Sequence, residues 1–216
     1  MIPAPRLDEV LSHLGQSLSA ERPVKLVGFV FAHPRDDTAQ SILARIDDYN
    51  WRFGAEVDFF FAGWQRYDAA PSDAISFPAP DGAEPPWMFS GRLYAGFVGD
   101  LEQASRFRPS GECEILLLTA GRTLEPPGAR VDYSNAVVLN VAAMLRDGVI
   151  GGAGPLLEQI YQTRFSAGDL TEWSDRRGLR EIAGAVADSL LSKLPLGLGV
   201  AFGKARHYVT SDLSVD

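Results

Sequence analysis

The residues best suited to chemistry in this chain form a short cluster after its most apolar segment. His33, Arg35, Asp36 and Asp37 follow the run KLVGFVFA at 25–32. An imidazole exchanges protons near neutral pH, and adjacent carboxylates can act as general acid and base. In open α/β sheets the ligand crevice lies at the carboxyl ends of the strands, which is where this cluster would stand. We therefore treat these four residues as candidate catalytic residues.

A third carboxylate, Asp58, lies in the next apolar run, EVDFFFA at 56–62. A fold that brought Asp58 beside Asp36 and Asp37 would create an oxygen-rich site for a divalent metal, as in a metal-assisted hydrolase. The competing interpretation is that Asp36 and Asp37 cap the following helix and complement its dipole. Under that interpretation His33 and Arg35 are solvated loop residues, and no cofactor is expected.

Cys113 is the only cysteine in the chain. A single cysteine excludes intramolecular disulfides and CxxC redox pairs, so we do not expect a thiol–disulfide oxidoreductase. Its neighbours Glu112 and Glu114 should raise the pKa of the thiol, because a thiolate beside carboxylates is disfavoured. A packing role for Cys113 is the interpretation that this pattern favours.

Three aromatic residues lie within or beside a proline-rich segment at 65–86. A pocket beneath that segment, lined by Trp64, Tyr67 and Trp87, would suit a small-molecule or nucleotide sensor, because such rings offer both apolar area and a polar edge. The segment holds five prolines, which lack the backbone donors of a helix or central strand, so it is predicted to be a surface loop.

The elements that would position these groups follow from the spacing of apolar residues. The pattern predicts a helix within 1–24, strands at 25–32, 56–62, 114–120 and 136–141, and helices beginning after Asp36 and at Ser90. A strand, helix, strand order favours a parallel first pair, and the helix-free connection at 121–135 favours an antiparallel last pair. The alternate strand residues predicted to form one central core are Phe29, Phe31, Phe59, Phe61, Leu116 and Leu118.

Only helical patterns follow the last predicted strand, at 155–164 and 175–194, before an aperiodic tail that we expect to be loose. The second of these helices carries Val186, Leu190 and Leu191 beside small residues, a surface suited to close helix contact. These three residues are a candidate interface for a protein partner or a second copy of the chain. The predicted organisation is an N-terminal helix (1–24), an α/β core (25–150) and a helical C-terminal arm with its tail (151–216).

Composition narrows the class of protein. The chain has 216 residues, of which 46% are hydrophobic, and a formal net charge of -8. The apolar content is that of a packed domain, and the negative charge disfavours binding to nucleic acid or to anionic lipid. No apolar run reaches the ~20 residues of a membrane span, and the start lacks the pattern of a secretory signal. We therefore expect a cytoplasmic protein.

The order of predicted elements across about 25–148 resembles the thioredoxin-like fold. That resemblance implies a mixed central sheet of about four strands, flanked by helices, with the last two strands paired as a hairpin. The sequence His33-Pro34-Arg35-Asp36-Asp37 stands where active members carry CxxC. The segment DFFFAGW at 58–64 is in addition similar to bacterial proteins of unknown activity.

These observations lead to one main functional expectation and two alternatives. The main one is a non-catalytic α/β protein that acts through a protein partner or by self-association. The alternatives are the metal-assisted hydrolase and the small-molecule sensor described above.

Overall fold

Two β-sheets of different size carry the fold. The computed structural model describes residues 2–21, 23–43, 57–66, 71–77, 86–124, 127–166 and 208–215. The strands are β1 (Ile2–Ala4), β2 (Val24–Phe31), β3 (Val57–Ala62), β4 (Trp64–Gln65), β5 (Ile75–Phe77), β6 (Trp87–Phe89), β7 (Glu114–Leu124), β8 (Pro127–Asn140) and β9 (Tyr208–Ser211). The main sheet has six strands in the order β1-β3-β2-β7-β8-β9, and the small sheet has three in the order β4-β6-β5.

The helices lie between these strands in the chain. They are α1 (Leu7–Ser17), α2 (Asp37–Leu43), α3 (Gly91–Ala104), α4 (Val141–Arg146) and α5 (Ala153–Ser166). The predicted cap of α3 is confirmed: the Ser90 hydroxyl accepts a hydrogen bond from Leu93 N at 3.2 Å. The protein is thus an α/β protein with a mixed sheet, and no helix among the described residues is long and apolar enough to cross a membrane.

The predicted strand directions are confirmed. β2 and β3 run parallel, with Val27 opposite Asp58, and β7 and β8 run antiparallel. The ladder between β2 and β7 is antiparallel and continuous from Val24 opposite Gly121 to Phe31 opposite Glu114. The hairpin strands β7 and β8 extend well beyond the predicted ends, so most of the connection at 121–135 is strand.

All six residues that were predicted to form one central core are buried. The prediction of a single core is wrong, because they divide between two clusters. Phe59 and Phe61 belong to a cluster that α2, α4 and α5 cover. Phe29, Phe31, Leu116 and Leu118 belong to a second cluster, which α1 and α3 cover. Side chains alternate between the two faces of a sheet, and the register places Phe29 opposite Phe60 rather than opposite Phe59.

The proline-rich segment is predicted to be a surface loop, but part of it forms a β-strand. Its described residues include β5, which pairs with β6, and β6 pairs with β4. Gly63 joins the two sheets: its N–H donates to Ala4 O, and its carbonyl accepts from Ser90 N, both at 3.0 Å. Gly63 has φ +77°, and a Cβ at this position would lie 2.6 Å from Tyr94 Cβ, so this junction requires glycine.

Both edges of the main sheet are strands that the sequence pattern did not indicate. β1, which precedes α1 in the chain, pairs with β3, and β9, near the end of the chain, pairs with β8. The tail that we expected to be loose therefore includes a strand at 208–211, which completes the sheet. Helix α5 matches the helix predicted at 155–164, whereas the helix predicted at 175–194 lies outside the described residues.

Candidate functional site

The predicted polar cluster lies at the carboxyl end of β2, where His33 and Asp36 accept hydrogen bonds from nearby backbone N–H groups. His33 is exposed, and its Nδ1 accepts a hydrogen bond from Arg35 N at 3.2 Å. The imidazole also packs edge-on against Phe89, with ring centroids 5.0 Å apart. The Arg35 side chain is exposed. The backbone turn, rather than a catalytic partner, thus sets the orientation of the imidazole.

Asp36 caps helix α2. Its Oδ1 accepts from Thr38 N at 2.8 Å, and Asp36 O accepts from Gln40 N at 3.1 Å. Asp37 is exposed in the first turn of the same helix, where a negative charge complements the helix dipole. The capping interpretation of Asp36 is therefore confirmed.

Asp58 does not join the other two carboxylates. It lies near the start of β3, opposite Val27, whereas Asp36 and Asp37 follow the far end of β2. Its Oδ2 lies 2.7 Å from Lys25 Nζ in a buried ion pair. Among the described residues, no group of three or more His, Cys, Asp or Glu side chains is placed to hold a metal ion.

Cys113 is buried at the amino end of β7, with 1% of its surface exposed. Burial raises the pKa of its thiol, and the nearby carboxylates of Asp36 and Glu114 raise it further. The predicted direction of the shift is confirmed, with burial as the larger cause. The thiol is therefore neutral at physiological pH, and a neutral thiol is a poor nucleophile and metal ligand.

Two residues of the predicted aromatic site, Trp64 and Trp87, are buried among the residues that the structure describes. Trp64 is fully buried, and its Nε1 donates to Ala32 O at 3.1 Å. Trp87 is buried on β6, and the Arg66 guanidinium stands 5.5 Å from the centre of its ring. Tyr67 lies outside the described residues, as do the interface candidates Val186, Leu190 and Leu191.

A cavity of about 570 Å³ lies at the other end of the main sheet, where β2 begins. Its apolar wall includes Leu7 and Leu11 of α1, Val24, Ala129 and Val131. Its polar lining includes Thr119, Arg122, Arg130, Asp132 and Tyr133. A volume of this size is typical of sites that enclose small organic molecules.

An irregularity in the hairpin shapes this cavity. The β7–β8 ladder is in register up to Leu117 opposite Val137 and resumes at Thr119 opposite Asp132, so residues 133–136 bulge from β8 against a single residue of β7. The bulge frees the carbonyl of Tyr133, which accepts from Leu213 N at 2.9 Å. This bond places the following Ser214 and Val215 in the lining. Bulges of this kind are common beside functional sites.

Two residues of β7 in the cavity lining, Thr119 and Gly121, have groups or space that the protein leaves unused. Thr119 is only 6% exposed, yet its Oγ1 has no hydrogen-bond partner among the residues that the structure describes. Gly121 also lines the cavity, and a Cβ placed on it would meet no atom within 4 Å. A buried hydroxyl without a partner costs stability, and either an ordered water or a ligand in the adjoining cavity would supply one.

Sequence reasoning missed this cavity because its lining comes from well-separated segments of the chain. The nearest local signal is GRTLEPPGAR at 121–130, in which Arg122 and Arg130 flank a turn sequence. The comparisons offer no independent guide, because the chain matches no protein-family model, no curated protein and no solved structure.

Proposed function

We propose that the protein binds a small molecule in the cavity beside Thr119 and acts by binding rather than by catalysis. The observation that carries this proposal is the buried, unpartnered hydroxyl of Thr119 in the lining of a cavity of about 570 Å³. It relocates the sensor hypothesis from the aromatic residues near the proline-rich segment to the opposite end of β2.

The state of the candidate catalytic groups supports a binding role. Asp36 is a helix cap, and Asp58 is held in an ion pair with Lys25. The raised pKa of Cys113 keeps its thiol protonated. Asp36 and Asp58 thus have structural roles that account for their positions without any reaction.

The scaffold that we propose for this binding protein is thioredoxin-like over β2 to β8. The parallel β2–β3 pair, the antiparallel β2–β7 ladder and the β7–β8 hairpin support that resemblance. Helices α2 and α3 contribute to the core clusters on opposite faces of the sheet, which supports it further. On this view β1, α1 and β9 are additions, and α1 supplies one wall of the cavity.

Thermal-shift screening of a metabolite library against two variants tests the proposal. Gly121→Leu should fill the cavity, whereas Gly96→Leu adds the same side chain to an exposed position in α3 where nothing lies within 4 Å. We expect compounds that stabilise the wild type and Gly96→Leu but not Gly121→Leu, because a ligand that binds only the folded state raises its melting temperature. The proposal fails if no compound stabilises the wild type, or if Gly121→Leu responds equally.

A further inference from the structure

We infer that residues 212–215 form a strap that closes one side of the cavity, and that release of this strap lets a small molecule enter. The inference rests on the proposed function, because an entry route matters only for a cavity that takes a ligand. Strand β9 ends at Ser211, which pairs with Ala136, and the strap is the segment that follows this last ladder position. The ladder therefore holds the strap at one end.

Leu213 attaches the strap to two separate elements. Its N–H donates to the carbonyl of Tyr133 at 2.9 Å, and its own carbonyl accepts from Arg106 N at 2.7 Å. Tyr133 lies in the bulge of β8, and Arg106 follows the end of α3. Ser214 continues this contact, because it forms an antiparallel β-bridge with Ser105. The strap thus runs from the β8 bulge to the end of α3.

These attachments lie on the side of the sheet that α1 covers. The partly buried residues that line the cavity or hold the strap on this side pack against one core cluster: Leu11, Ala104, Ala129, Tyr133 and Leu213. Ser214 and Val215 follow Leu213 directly and line the same cavity. The strap, α1 and β8 therefore enclose the cavity from one side of the sheet.

The strap is attached by fewer contacts than the strands of the main sheet. Leu213 is half-buried, and Val215 keeps 50% of its surface exposed although it lines the cavity. The hydrogen bond from Ser214 N to Asp212 Oδ1, at 2.9 Å, lies within the strap, so it can persist when the strap detaches. Openings that break few hydrogen bonds and expose little apolar surface occur more often than global unfolding. The strap should therefore open while β2, β7 and β8 remain paired.

Native-state hydrogen exchange of the wild type tests whether the strap opens on its own. The amides of Leu213 and Arg106 donate the two backbone bonds that attach the strap, so one opening event should expose both. We expect their protection factors to be at least about tenfold lower than those of hydrogen-bonded amides in the β2–β7 ladder, and insensitive to low concentrations of urea. If both amides exchange only with the protection and urea dependence of the ladder, the inference is wrong.

A buried thiol in the cavity tests whether strap release admits a small molecule. Val131 lines the cavity and is 5% exposed, so Val131→Cys in a Cys113→Ala background reports entry through its labelling by methyl methanethiosulfonate. Leu213→Pro removes the N–H that bonds to Tyr133 and should raise the labelling rate at least about tenfold. Leu213→Met keeps that N–H and should label like the parent chain.

The native thiol is the control for general loosening. Cys113 is buried and does not line the cavity, so Leu213→Pro alone should leave its labelling unchanged. A parallel increase at Cys113 overturns the inference, as does a rate at Val131→Cys that Leu213→Pro leaves unchanged, with the fold checked by circular dichroism. If Leu213→Pro does not fold, exchange in the wild type decides alone.

The strap and the binding role can fail separately. An empty library screen together with independent opening of the strap removes the proposed function and leaves the strap as a gate to an unused cavity. Compounds that stabilise the wild type, found in a protein whose strap opens only on global unfolding, keep the proposed function and overturn this entry route.

Discussion

Lys25 Nζ and Asp58 Oδ2 lie 2.7 Å apart between adjacent parallel strands, and their side chains are only 8% and 2% exposed. Removing one partner of a buried pair leaves the other charge in a poorly solvated position. We expect Asp58→Asn to lower the free energy of unfolding by about 3–5 kcal/mol, measured by urea denaturation. Lys25→Met/Asp58→Leu should cost much less, because it removes both charges. A loss below about 1 kcal/mol in Asp58→Asn would contradict a structural role for the pair.

The carboxylate of Asp73 ties the strand β5 segment to the start of α3. It accepts hydrogen bonds from Arg92 N at 2.9 Å and from Ser90 Oγ at 2.8 Å, and these two bonds, in that order, lower its pKa below the usual 3.8. A lowered folded-state pKa stabilises the protein above the usual value, and this contribution disappears as the pH falls through the folded-state pKa.

Asp73→Asn should therefore destabilise the protein at pH 6 and have a smaller effect near pH 2.5. Urea denaturation of the wild type and the variant at both pH values measures the difference. Asp100→Asn, an exposed change late in α3, controls for the loss of one charge. An effect of Asp73→Asn that is the same at both pH values would argue against this assignment.

The Cys113 thiol should be inert in the folded protein. Because it is buried and its pKa is raised, an aromatic disulfide reagent at pH 8 should label it only after denaturant is added. Cys113→Ser should retain ligand binding while losing about 1–3 kcal/mol of stability, because a hydroxyl replaces the thiol in an apolar cluster. Rapid labelling of the native protein, or loss of binding in Cys113→Ser with an intact fold, would contradict this view.

Thr119→Val should stabilise the ligand-free protein by about 1 kcal/mol, because it keeps the shape of the side chain and removes a buried hydroxyl that has no partner in the described part of the chain. The same variant should bind the cavity ligand more weakly. Thr119→Ser, which keeps the hydroxyl, serves as the control and should give no such gain. Equal stability of wild type and Thr119→Val in urea would show that the hydroxyl is satisfied in solution.

Gly63 and Gly96 should respond in opposite directions to the same substitution. Gly63→Ala forces a Cβ against Tyr94 at φ +77° and should cost at least about 1–3 kcal/mol. Gly96→Ala, in the open part of α3, should gain about 0.5–1 kcal/mol, because glycine is unfavourable inside a helix. Urea denaturation of both variants checks the contrast, and a tolerated Gly63→Ala would mean that the junction between the sheets can adapt.

Local patterns predicted the elements that have strong periodicity or a clear cap. The apolar runs of β2 and β3, the Ser90 cap and the helix-free hairpin connection led to the correct strand directions. Edge strands were missed because β1 is only three residues long and β9 follows an aperiodic stretch, so neither carries a period-two signal. Pairing partners far away in sequence determine these strands, and no local rule contains that information.

The candidate site was harder to predict than the fold. Proximity in sequence drew attention to Asp36 and Asp37, whose positions serve helix α2. Asp58 was a candidate metal ligand because the sequence does not show how far it lies from Asp36. That distance depends on the strand register, which places Asp58 opposite Val27. The cavity depends on a break in the β7–β8 ladder and on a wall supplied by α1, and both are tertiary features.

The ladder between β2 and β7 also governs how the cavity comes into being during folding. The β2–α2–β3 unit and the β7–β8 hairpin can each form from nearby residues, but β2 and β7 meet only after a long stretch of chain closes between them. Loop closure of that kind is slow because it costs entropy before contacts repay it. Val24 and Gly121 both line the cavity and pair across this last ladder, so the cavity exists only once the two units have docked. A bound ligand should consequently slow unfolding and leave the rate of folding almost unchanged.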